Sequence, residues 1–113
     1  MTPADIVRQA RDFLENRQML SPQETESALD VAAFVLARSL ERLDAAVAAG
    51  DGQACVEAAH GLKGNLLNLG LPELAGTAQA ILDKAREGGY QSLQTGRETL
   101  AAALAPLLAR RMI

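Results

Sequence analysis

The stripe Leu29, Ala33, Leu36, Leu40, Leu43 and Val47 steps forward by four and three residues in alternation, and this spacing constrains the fold most. Such a seam keeps its apolar side chains on one face of a helix over many turns and needs equally apolar helices to close against. The chain supplies them. Ile6, Ala10, Phe13 and Leu14 recur at helical spacing, as do Cys55, Ala58, Ala59, Leu62, Leu66 and Leu69. Leu74, Ala78, Ile81, Leu82 and Ala85 form another stripe, and Leu93, Leu100, Leu104 and Leu107 a last one. The apolar residues are mostly Leu and Ala, with aromatics at 3%, a mixture that favours helices over strands.

Turn and cap residues mark the boundaries. Thr2 with Pro3 reads as an N-cap and first helical position, opening a helix over about 3–18. Ser21-Pro22-Gln23-Glu24 is a capping box that starts a second helix over about 22–49. Gly50-Asp51-Gly52 ends it and caps a third over about 52–69, and Gly70-Leu71-Pro72 opens a fourth over about 72–87. Gly88-Gly89 is a turn before a last helix over about 90–110, which Pro106 should kink or shorten. Connections this short make consecutive helices antiparallel. The expected fold is all-α: an up-and-down antiparallel four-helix bundle with an additional N-terminal helix, one domain over residues 1–113.

A net charge of −3 and the absence of Trp leave neither a basic footprint nor a stacking platform for nucleic acid. The lone Cys55 lies on a core stripe and reads as a small buried hydrophobe, which fits a reducing compartment. Asp5, Arg8 and Arg11 interrupt any apolar leader, and the stretch Leu100 to Ala109 falls well short of the ~20 residues a membrane helix needs. The expectation is a cytoplasmic monomer that meets neither membrane nor nucleic acid.

The third helix carries the chemistry. With successive residues rotated by about 100°, the only histidine, His60, points about 150° away from the middle of the buried stripe. Around it stand Val56 one turn before, Gly64 one turn after and Leu67 two turns after, flanked by Glu57 and Lys63. An ordinary solvated face would carry Glu, Lys and Gln there. Gly61 and Gly64 each cost about 1 kcal/mol relative to Ala inside a helix, a local rule broken twice beside the only histidine. An imidazole in water titrates near ~6.5, so at neutral pH a ring nitrogen keeps a lone pair able to attack phosphorus. Lys63 can bring an ammonium to the phosphoryl oxygens. There is no phosphate loop and no carboxylate cluster for magnesium, so the chain can carry a phosphoryl group but shows no means of taking one from ATP.

The run Ala59-His60-Gly61-Leu62-Lys63-Gly64, five residues and then Gly70, with Leu74 and Leu82-Asp83 downstream, resembles the histidine phosphotransfer (HPt) domain of multistep phosphorelays. Ser39 to Val47 followed by Gly50-Asp51 is similar to that family's first bundle helix and turn. The resemblance implies that His60 accepts a phosphoryl group at Nε2 from a receiver aspartate or a histidine kinase and passes it to a response-regulator aspartate. It implies that Lys63 is the phosphate-proximal lysine and that Gly64 leaves room for the partner, with Val56, Glu57, Gly61 and Leu67 on the docking surface. Leu67, where the family usually has a smaller or polar residue, would tune which receiver docks. The chain would be a carrier and not an enzyme, without a cofactor of its own. Magnesium would sit on the partner, a receiver domain of a response regulator or hybrid histidine kinase. The alternative is a helical interaction module that binds a signalling partner through the same face without phosphorylation.

Overall fold

Buried leucines decide how the helices meet. The computed structural model describes residues 3–112, with side chains for 5–89 and 92–110. The helices are α1 (Pro3–Asn16), α2 (Pro22–Ala49), α3 (Gly52–Asn68), α4 (Pro72–Arg86) and α5 (Tyr90–Leu108), and a 3-10 turn follows over Ala109–Met112. Helices α2, α3, α4 and α5 pack in sequence around one core, with α5 closing back on α2, while α1 lies against α5 and α2. Partners across the α2–α5 seam run in opposite order. On α2 and α5, Asp44 pairs with Arg97, and Asp30, earlier on α2, pairs with Arg110, just beyond the end of α5. The bundle is therefore all-helical and up-and-down, with α1 added at its N-terminal side.

Leu29, Leu36, Leu43, Leu62, Leu66, Leu93, Leu100, Leu104 and Leu107 are sealed from solvent. Phe13, Val47 and Leu74, also on the expected core stripes, are only half-buried and pack against the core from outside. The interior positions beside the last two go to Ala46 and Ala75, whose small side chains let neighbouring helices come close. The N-cap expected at Thr2 lies outside the described residues. Pro106 has no N–H to offer the Ala102 carbonyl; α5 runs only two residues past it, then tightens into the 3-10 turn.

Caps fix the ends. The Ser21 hydroxyl accepts from the Glu24 N–H at 3.1 Å, and the Glu24 carboxylate accepts from the Ser21 N–H at 2.8 Å. Asp51 accepts from the Ala54 N–H at 3.0 Å and starts α3. Gly50, at φ +64, ends α2: its N–H reaches the Val47 carbonyl, and that of Asp51 reaches Ala46. Gly70, at φ +70, does the same for α3 and has a second duty. Gln9 of α1 donates to its carbonyl at 3.0 Å, and a Cβ built there would lie 2.3 Å from Phe13 Cγ. The α3–α4 turn is thus the seat on which α1 rests.

Charge also ties α1 to α2. Glu26 of α2 accepts from Arg11 of α1 and from Arg110, and Arg110 also bonds Asp30 at 2.8 Å. The hydrogen bond from Arg110 does most to hold the Glu26 carboxyl below the usual carboxylate range.

Two predictions follow from these ties. Gly50→Ala meets open space and should cost about 1–2 kcal/mol for its left-handed backbone alone. Gly70→Ala should cost clearly more in urea unfolding, because its methyl also displaces Phe13; equal costs would mean that α1 shifts freely. Because the Glu26 pKa is lowered on folding, its contribution is present above the ordinary carboxylate range and fades as pH falls through the lowered value. Glu26→Gln should therefore melt below wild type at pH 7, with the gap narrowing in acid. A gap independent of pH would remove the carboxylate as its source.

Candidate functional site

Helix α3 is held in rotation by what it buries. Cys55, Ala59, Leu62 and Leu66 have no exposed surface, and Ala58 and Leu69 have almost none. Two adjacent alanines at 58 and 59 bring the α3 backbone close to the helices on either side. With that face sealed, His60 has only the opposite side to occupy, and its side chain is exposed. Cys55, packed at the start of the seam, has its thiol pKa pushed up, first by burial and then by the nearby Asp51 charge, so it behaves as an inert apolar group.

The residues expected around His60 divide into three groups. Gly64, Glu57 and Leu67 are exposed with it. A Cβ added at Gly64 would meet nothing within 4 Å, Glu57 accepts from the Gln53 side chain at 3.2 Å, and Leu67 leaves 48% of its surface open. Val56 differs from the expectation of an open-face residue: it is half-buried and packs against the core. About 110° from the centre of the stripe, it is near enough to be covered by the neighbouring helix. Gly61 also differs. It is half-buried at the α2–α3 seam, where a Cβ would lie 3.8 Å from the Ser39 hydroxyl, an ordinary contact.

Lys63 turns towards α4. It is half-buried, and its Nζ donates to Gln79 Oε1 at 2.7 Å, while Gln79 Nε2 donates to Asp83 Oδ1 at 2.9 Å. The Lys63–Gln79 contact is one that helix periodicity does not reveal, because it joins two helices. Gly76, one turn before Gln79 on α4, is exposed and likewise has nothing within 4 Å of its missing side chain. Its signal was in the sequence: a glycine in a helix interior away from either end.

Beside this face, α2 exposes Val31 at 63% and Phe34 at 53%, with the Arg38 guanidinium 5.8 Å above the Phe34 ring. These positions sit about 200° and 140° around from Leu29, so their exposure also follows from helical phase. Val31 joins Leu14, Ala28, Val35 and Leu69 along a shallow apolar groove between α2 and the end of α3. Among the described residues no three His, Cys, Asp or Glu side chains group to hold a metal ion, and no helix is long and apolar enough to cross a membrane.

The openness at Gly64 makes a direct prediction. Gly64→Ala should raise stability by up to ~1 kcal/mol, since alanine is the better helix former, and Gly64→Leu should still fold with near wild-type melting. Unfolding by Gly64→Leu would place that position against another helix.

Compared with models of protein families, residues 35–110 match the Hpt domain. No curated protein and no solved structure gave a match. The matched span starts inside α2 and leaves α1 outside it.

Proposed function

Because the chain belongs to the Hpt domain family, the histidine phosphotransfer modules of phosphorelays, we propose that His60 is its phosphoacceptor. The observation that carries this reading is the position of the only histidine: exposed in mid-helix, beside a glycine that leaves open space. In the proposed reaction, Nε2 of the neutral imidazole attacks the phosphorus of a receiver aspartyl phosphate. An N–P bond forms as the P–O bond to the aspartyl carboxylate breaks, and the electron pair leaves with that carboxylate. The proton on Nδ1 stays in place, so charge balances. The reverse step delivers the group to a second receiver aspartate. Loading by a histidine kinase forms the same N–P bond as the bond from phosphorus to the kinase's own phosphoryl donor breaks, the electron pair leaving with that donor.

Lys63 supplies positive charge to the phosphoryl oxygens, and Gly64 leaves the clearance a receiver needs to reach the ring. Glu57 and Leu67 flank that approach, with Gly61 and the half-buried Val56 at its edges. The magnesium ion and the acidic residues that bind it belong to the receiver, which leaves this chain a cytoplasmic, monomeric carrier without an ATP site. The interaction-module alternative uses the same face and differs in one observable, phosphate on His60.

Incubation with a phosphorylated receiver should give wild type an acid-labile, alkali-stable phosphate, and His60→Gln should fold yet acquire none. ATP and magnesium alone should label neither. Folded Gly64→Leu should accept the group at least ~ten-fold more slowly, since reacting atoms tolerate little displacement. Labelling of His60→Gln would sink the assignment.

A further inference from the structure

We propose that Gln79 is a positioning residue for Lys63: its side-chain amide holds the ammonium at the α3–α4 seam while leaving its charge uncancelled. This rests on the reading above, in which Lys63 serves a phosphoryl group on His60. The direction of the amide follows from its neighbours. A lysine ammonium only donates and a carboxylate only accepts, so Gln79 must turn Oε1 to Lys63 at 2.7 Å and Nε2 to Asp83 at 2.9 Å. Both bonds cannot be kept with the amide reversed.

The choice of an amide matters. A helix surface could hold Lys63 with a carboxylate, but an ion pair would spend the positive charge that phosphoryl oxygens need. Here Asp83, one turn beyond Gln79 on α4, is kept one amide away, and the ion pairs of the described residues do not include Lys63. One of three N–H groups goes to Gln79, and two remain for an incoming group. Holding a flexible four-carbon stem in advance also removes part of the entropy lost when it grips a phosphoryl oxygen. The open glycines Gly64, next to Lys63, and Gly76, one turn before Gln79, add no side chains to the surface around this bond.

The test is a double-mutant cycle on transfer from a phosphorylated receiver, with melting measured for each variant. Gln79→Met keeps the volume and removes the amide; Lys63→Met removes the ammonium. Lys63→Met should slow transfer by about ten-fold, the scale of one charge-assisted hydrogen bond, and Gln79→Met by a few-fold with near wild-type melting. If Gln79 acts through Lys63, the double variant is no slower than Lys63→Met alone. Gln79→Glu, which pairs with the ammonium and cancels it, should be slower than Gln79→Met. Gln79→Met at the wild-type rate, or effects that multiply in the double variant, would overturn the positioning role while leaving His60 transfer intact. Absence of label on wild type would instead overturn the underlying reading, and Lys63→Met at the wild-type rate would overturn both the lysine's role and that of Gln79.

Discussion

The rotational phase of α3 is the constraint on which the site depends. Leu62 and Leu66 are sealed on one side of that helix together with Cys55 and Ala59. Turning the helix by one residue, about 100°, would bring large leucines into water, each at a cost of about 1.5–3 kcal/mol, and would carry an imidazole inward without a partner. No side chain near His60 needs to hold it out, because the opposite face of the helix does so. The same sealing fixes α4 alongside, and with it the depth at which Gln79 meets Lys63.

Helix α1 acts on the site from further away. It is seated on the α3–α4 turn through Gln9 and Phe13, and it is joined to α2 through Arg11 and Glu26. It therefore braces the end of α3 beyond His60, where Leu67 and the α2–α3 groove lie. The family match begins after α1, so this brace is an addition to the matched bundle. A small bundle buries a limited area per residue, and a fifth helix covering one end adds apolar surface to the same core.

The stripes, the capping box at Ser21, the turns at Gly50 and Gly70 and the outward His60 were legible because each is a local pattern with one physical meaning. The helix phase of Val31 and Phe34 was equally available, since apolar residues off a buried stripe must face solvent or a partner. What stayed hidden was relations between helices. Val56 and Gly61 lie at the margins of the stripe, where burial depends on how closely α4 and α2 approach and not on phase alone. Phe13 against Gly70 and Gln79 on Lys63 join residues far apart in the chain, and no period within one helix encodes such a pairing.

The glycines separate demands of the fold from demands that come from outside it. At Gly70 a Cβ would strike Phe13 at 2.3 Å, and at Gly96 it would lie 2.9 Å from Ile81 of α4, so packing inside the chain accounts for both. At Gly64 and Gly76 a Cβ would meet nothing within 4 Å. Neither has the positive φ that requires glycine, and each gives up about 1 kcal/mol of helix stability relative to alanine. No neighbour among the described residues accounts for that loss. Both open positions border the surface around Lys63 and Gln79, one of them a turn from His60. A surface approaching from outside the chain would gain from side chains missing there, which is the clearance that the proposed receiver docking asks of Gly64.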